Sequence, residues 1–291
     1  MKIILSYGYT PHTTALYFKR ALEKEHEVIT VGTAIEKHHN IVIKNDEDIS
    51  KKYLCEADLF LWVESSGKIP NFPKGIDKLN IPTACYMIDS HTNLSWHVNW
   101  AKNFDFVFVA QREYVPFFKK CGCEKVSWLP LACDPEIHKP HEWRSEKYDI
   151  GFIGNTYQNS GLYQRRRCLI NRLGAEYDFH LKSAYGEDMS KELSKCKIGF
   201  NNAVKNDLNM RIFECLATGV PLLTDHADGI DELFTDGKHY VKYNDGDVLR
   251  KAKEMLSDLV RSKEIAKAGF EEVIKKHTYK HRINQILDQI K

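Results

Sequence analysis

Residues 206–234 read NDLNMRIFECLATGVPLLTDHADGIDELF, and this pattern decides the class of fold. From residue 209 to 218 the spacing predicts a short helix. Asn209 caps its start, Gly219 offers a left-handed exit and Pro221 forbids continuation. Ile212, Cys215 and Leu216 share one face at i, i+3 and i+4, while Arg211 and Glu214 neighbour each other on another. VPLLT is a short apolar run suited to a buried parallel strand. It opens into Asp225, His226, Asp228 and Gly229. Polar and glycine residues at the carboxyl end of such a strand mark the edge where open α/β sheets bind ligands.

Arg211 and Glu214 are about 4.5 Å apart along a helix axis, roughly the step from a phosphate to its ribose. Arg211, in the first turn, reinforces the positive end of the helix, where free backbone donors favour a phosphate. Glu214, one turn deeper, can accept hydrogen bonds from ribose hydroxyls. The competing reading is an exposed ion pair contributing a few tenths of a kcal/mol.

Working outward, strand and helix patterns alternate along the whole chain, which predicts parallel sheets wrapped by helices. In the first half, strands are expected at 2–6, 27–31, 58–63, 82–88, 105–109 and 125–129. Helices are expected at 13–25, 47–56, 94–102 and 114–121, giving a doubly wound sheet. The stretch 134–147 loses periodicity, carries prolines and many charges, and reads as a linker between domains at 1–133 and 148–291. Alternation restarts with YDIGFIGN, an arginine-rich helix, a strand at 177–181, a helix at 189–196 and a strand at 197–201. The tail from residue 245 is helical, with breaks expected near Ser262 and at His277 and Thr278.

The chain has 291 residues, a charged fraction of 28% and a hydrophobic fraction of 43%, as in soluble globular proteins. A formal net charge of +2 gives no electrostatic case for a nucleic-acid partner. No apolar run is long enough to span a bilayer, the start is too short for a signal-peptide core, and a cytoplasmic location is expected. The eight cysteines include no C-x-x-C pair, and reduced structural thiols are expected rather than zinc or disulfides.

MRIFECLATGVPLLTDHADGIDELFTDGKHYVKYNDGDVL, followed by AKAGFEEVIKKHTYKHRINQIL, resembles the C-terminal half of the CgeB-like (spore maturation protein type) glycosyltransferases. These are GT-B enzymes similar to the retaining glycosyltransferase family four. DIGFIGN and VSWLPLACDPEIHKP add to the resemblance, which runs from about residue 105 to the C-terminus. It implies two Rossmann-like domains facing across a cleft with C-terminal helices, the second binding a nucleoside-diphosphate sugar and the first an acceptor. Glu214 takes the position of the family's ribose-binding glutamate, and Arg211 that of a basic residue near the phosphates. Where relatives often have another glutamate, eight residues before Glu214, this chain has Asn206, so the resemblance carries the nucleotide contacts rather than the sugar-facing one.

Further donor-binding candidates follow from position. Gly8 and His12 lie in the loop after the first strand, and Gly154 and Asn155 end the first strand of the second domain. Arg165, Arg166 and Arg167 splay over about 200° of a helix, so they cannot all reach one ligand; Arg165 or Arg166 is the candidate for the diphosphate. Asn201 and Asn202 close another strand, and Asp228 and Gly229 form the loop after VPLLT. For the acceptor, MIDSHTNLSWHVNW ends a strand in Asp89 and His91 and continues into a helix bearing Trp96, His97 and Trp100.

The expected reaction moves a sugar from a nucleoside-diphosphate donor, UDP-sugar ahead of GDP-sugar, to a hydroxyl, retaining its configuration and needing no metal or other cofactor. Arg211 stabilises the leaving diphosphate, with Asp89 or His91 orienting the acceptor. That acceptor is unidentified: a polysaccharide, protein, lipid-linked precursor or small molecule. A non-catalytic sugar-nucleotide or carbohydrate-binding protein is the alternative. A nicotinamide-dependent oxidoreductase fits less well, because neither first strand is followed by G-x-G-x-x-G.

Overall fold

The computed structural model describes residues 1–32, 38–44, 47–51, 56–65, 74–141, 146–156 and 160–291. The chain forms two compact units, Met1–Pro130 with Tyr279–Lys291, and Leu131–Thr278. Both are α/β with parallel sheets.

The first unit contains β1 (Lys2–Ser6), α1 (Thr14–Leu22), β2 (Glu27–Gly32), β3 (Ile41–Val42), β4 (Leu59–Val63) and β5 (Thr83–Met87). It continues with α2 (Ser90–Ala101), β6 (Phe106–Val109), α3 (Val115–Lys120) and β7 (Lys125–Trp128). LFLWV and TACYM are buried at every residue, as strands covered on both faces must be. The strand order is β3-β2-β1-β4-β5-β6-β7. The winding reverses between β1 and β4, and a crevice opens where the carboxyl ends of these two strands part.

The second unit contains β8 (Tyr148–Ile153), α4 (Gln164–Gly174), β9 (Phe179–Lys182), α5 (Gly186–Leu193), β10 (Cys196–Phe200) and α6 (Met210–Ala217). Then come β11 (Leu222–Thr224), α7 (Ile230–Leu233), β12 (Val241–Lys242), α8 (Val248–Ser257) and α9 (Leu259–Lys276). Its order is β12-β11-β10-β8-β9, so the reversal falls between β8 and β10. Ile150, Phe152, Ile198, Phe200, Leu223 and Tyr243 build the core around these strands.

The last helix, α10 (Tyr279–Ile290), returns to the first unit, where Tyr279 stacks on Tyr17 at 5.3 Å and Arg282 Nε donates to the Pro130 carbonyl. The tail breaks at His277 and Thr278 as expected, but its earlier break falls at Asp258 rather than Ser262. The Asp258 carboxylate caps α9 by accepting the Arg261 N–H at 2.9 Å, whereas Ser262 is buried inside α9. Leu131, Ala132, Cys133 and His138 are buried, so the stretch approaching the expected linker is packed within the second unit. Residues 142–145 of that linker, and 52–55 of the helix expected at 47–56, lie outside the described residues; Ile49–Lys51 form a 3-10 turn. Among the described residues no helix is long and apolar enough to cross a membrane.

Candidate functional site

At the strand reversal of the second unit, two arginines gather on the Phe152 ring. Arg211, in the first turn of α6, lays its guanidinium over that ring at 4.5 Å and donates from Nε to the Ile153 carbonyl at 2.9 Å. Gly154 makes room for this: a Cβ there would lie 2.0 Å from Arg211 Nη2, and its φ of +148° disfavours any residue with a side chain. A second guanidinium, that of Arg166 on α4, sits 5.1 Å from the Phe152 ring centre and 5.0 Å from that of Tyr163. Its Nη1 donates to the Asn155 carbonyl at 3.2 Å and its Nη2 to the Asn202 carbonyl at 2.7 Å. Arg166 is buried, and among the described residues its Nε has no hydrogen-bond partner.

Among the described residues neither Arg166 nor Arg211 pairs with a carboxylate. Burial first, and then the charge of Arg211, pushes the Arg166 guanidinium down to about 10. The two cations share one aromatic ring, and their hydrogen bonds go to carbonyls, while Asp225 and Glu214 act on them only from a distance. The start of α6 adds backbone donors at the same strand ends.

Arg165, one residue before Arg166, has different partners. Its Nη1 pairs with Asp225 at 2.5 Å, and its Nε and Nη2 grip Asp245 at 2.6 to 3.1 Å. These carboxylates raise its proton affinity and neutralise its charge. Asp225 also accepts from Asn202 Nδ2 at 2.7 Å and from the Ala203 N–H at 2.7 Å. Burial raises the Asp225 carboxyl, and these hydrogen bonds only partly oppose it. Asn202 therefore acts on both sides, offering its carbonyl to Arg166 and its amide to Asp225. Asn201 Nδ2 donates to Thr224 Oγ1 at 2.9 Å, while its buried Oδ1 has no partner among the described residues.

The loop between β10 and α6 turns through Lys205 and Asn206, both at positive φ. The Asn206 carbonyl accepts the Asp228 N–H at 2.8 Å, Asp228 Oδ1 lies 3.0 Å from His226 Nε2, and Gly229, at φ +88°, leads into α7. Glu214 faces inward from α6, its Oε1 3.3 Å from Nε2 of the buried His138. Burial acts to raise the Glu214 carboxyl, but the His138 hydrogen bond and the charges of His138 and Arg211 outweigh it and hold the group below its ordinary value.

In the first unit Gly8 follows β1, where a Cβ would meet Ser65 Oγ at 3.2 Å beyond the end of β4. His12 is exposed, at φ +58°. Asp89 occupies the N-cap position of α2 without a side-chain capping hydrogen bond, and Asp89 and His91 are half-buried. A buried network lies beneath them. Glu64 Oε2 accepts the N–H groups of Ile88 at 2.6 Å and Asp89 at 3.1 Å, and Glu64 Oε1 lies 3.2 Å from His97 Nε2. His97 Nδ1 meets Ser90 Oγ at 3.0 Å. Trp96 and Trp100 meet Trp62 edge-on at 6.5 and 5.9 Å, so both pack against the core rather than forming an open platform for a sugar.

Sequence reasoning named Arg166 only as an alternative to Arg165 and missed His138 and Glu64. A signal for Arg166 was available: with Leu169, Ile170 and Leu173 it completes an i, i+3, i+4, i+7 stripe, the buried face of α4.

The chain has the fold of the GT-B glycosyltransferases. A crystal structure of Anabaena Alr3699/HepE in complex with UDP-glucose matches with a TM-score of 0.70 at 15% identity, covering 100% of this chain and 99% of that one. T4 phage BGT in complex with its UDP-glucose substrate matches at 0.65 and 14%, again over 100% and 99%. Sucrose-phosphate synthase from Thermosynechococcus elongatus matches at 0.64 and 10% with the same coverage. Within that fold, residues 144–288 match the family model described as glycosyl transferase-like. No curated protein matches the chain by sequence.

Proposed function

We propose that this protein transfers a sugar from a UDP-sugar to an acceptor hydroxyl, and that Arg166 and Arg211 hold the diphosphate. The observation that carries the reading is the pair of guanidinium groups on Phe152 with no carboxylate partner, at the strand ends where an open α/β sheet takes its ligand. UDP is preferred as the nucleotide because structures sharing this fold over their whole length hold UDP-glucose.

As the bond between sugar and diphosphate breaks, its electron pair passes to the phosphate oxygen. Arg166, Arg211 and the α6 amides stabilise the charge that collects there. This is the electrostatic work a divalent ion could otherwise perform, so we assign a metal-independent reaction. Following the resemblance to family four, we assign a retaining course in which the departing phosphate takes the acceptor's proton as the hydroxyl oxygen bonds to the anomeric carbon. Glu214 receives the ribose. Asp89, whose N–H donates to Glu64, and His91 are assigned to the acceptor, and Gly8 and His12 to the donor.

Thermal shift with UDP, GDP, ADP and NAD tests the reading. Stabilisation by UDP and not by NAD supports it, and no response to any nucleoside diphosphate rejects it. Release of UDP from UDP-glucose, by transfer or slow hydrolysis, separates the enzyme from a protein that only binds the nucleotide.

A further inference from the structure

The Glu214 carboxylate is almost enclosed, with 9% of its side chain accessible, and a buried charge persists only where hydrogen bonds compensate for lost water. Among the described residues its one side-chain partner is His138, through Oε1. The imidazole is held in a defined orientation: Nδ1 accepts the Asp134 N–H at 3.0 Å, which turns Nε2 towards Glu214.

The ring is also fixed in place. Asp134 Oδ1 accepts the Glu136 N–H at 3.0 Å, and the Asp134 carbonyl accepts the N–H groups of Ile137 at 3.1 Å and His138 at 2.7 Å. Ser190 on α5 donates to the Ile137 carbonyl at 3.1 Å. These bonds hold the turn, and the turn holds the imidazole.

We propose that His138 is a positioning residue for ribose recognition: it restrains Glu214 through Oε1 and leaves Oε2 oriented for the nucleotide's hydroxyls. The proposal rests on the assignment of Glu214 to the ribose. It predicts that His138 governs how strongly the protein distinguishes a ribose from a sugar lacking its hydroxyls, rather than how tightly it holds phosphate.

Calorimetry with UDP and 2′,3′-dideoxy-UDP, on the full chain and two variants, tests it. In His138→Gln the side-chain amide still reaches Glu214 with a donor. In His138→Asn the shorter amide retains an acceptor for Asp134 but no donor at the Nε2 position. The unsubstituted protein is expected to bind UDP at least about tenfold tighter than the dideoxy compound. His138→Gln should keep most of that ratio, and His138→Asn should reduce it to within about threefold. A folded His138→Asn protein that keeps the full ratio, or one in which both affinities fall together, overturns the proposal. A ratio near one in the unsubstituted protein overturns the ribose assignment itself.

Discussion

Arg166→Met removes the buried guanidinium while keeping an unbranched side chain on the packed face of α4. Two effects on stability oppose each other. The carbonyls of Asn155 and Asn202 lose their donors, at about 1–3 kcal/mol each where they stay buried. Against this, burial and Arg211 hold the Arg166 guanidinium down at about 10. Each tenfold fall in proton affinity is about 1.4 kcal/mol, so the charged side chain carries roughly 3 kcal/mol of penalty that methionine does not. The penalty offsets about 3 of the roughly 2–6 kcal/mol lost at the two carbonyls, and the melting temperature should move by no more than about ten degrees. UDP binding has no such compensation. Loss of a charge-assisted phosphate contact, about 1.5–3 kcal/mol, should weaken it roughly 10- to 150-fold. Calorimetric titration with UDP beside a thermal melt reads both quantities. A folded Arg166→Met protein that binds UDP like the unsubstituted chain would refute the assignment of Arg166 to the diphosphate.

Gly154→Ala places a methyl group 2.0 Å from Arg211 Nη2 at a glycine-favouring φ; we expect a loss of about 1–3 kcal/mol in stability and roughly tenfold weaker UDP binding, read by denaturant melts and calorimetry. Arg165→Ala should lower stability by about 1–2 kcal/mol, since Asp225 and Asp245 lose their counter-ion, yet leave the UDP affinity within about twofold; a larger binding loss would return Arg165 to the donor site. Glu192 supplies a pH test. Burial acts to raise its carboxyl, but hydrogen bonds from Lys195 and His180 outweigh it and bring the group down to about 2. A depressed carboxylate contributes stability that is present above the ordinary carboxylate range and lost as pH falls towards the folded value. Urea midpoints should therefore fall more between about pH 5 and pH 3 for the unsubstituted protein than for Glu192→Gln, and parallel falls would contradict the assignment.

The fold was legible because its strands are apolar runs bounded by polar turns. β1 lies at its expected bounds, and most other long strands shift by a residue or two at an end. β3 and β12 were not legible, since two residues make no alternating pattern. In α6 the N-cap position of Asn209 and the left-handed Gly219 were both readable, since backbone geometry restricts the residues that fit there, although the Asn209 side chain makes no capping hydrogen bond. The α2 helix begins at Ser90, several residues before the expected start, because Glu64 supplies acceptors to the backbone ahead of it from a distant strand end. The same non-local cause hid His138. Its partner lies far along the sequence, and its own neighbourhood reads as a charged linker.

Arg165 and Arg166 show the limit most clearly. Adjacent in sequence and identical in type, they differ by about 100° of helix rotation. That rotation turns one towards Asp225 and Asp245 and the other onto Phe152. Their separate partners depend on which side of α4 meets the sheet.

The most direct test of the central claim, that two arginines hold the diphosphate of a nucleotide donor, is a calorimetric comparison of UDP with uridine on the full chain. UDP should bind saturably and at least about a hundredfold tighter than uridine, because both guanidinium contacts go to phosphate. Equal affinity for the two, or binding of neither, would contradict the claim.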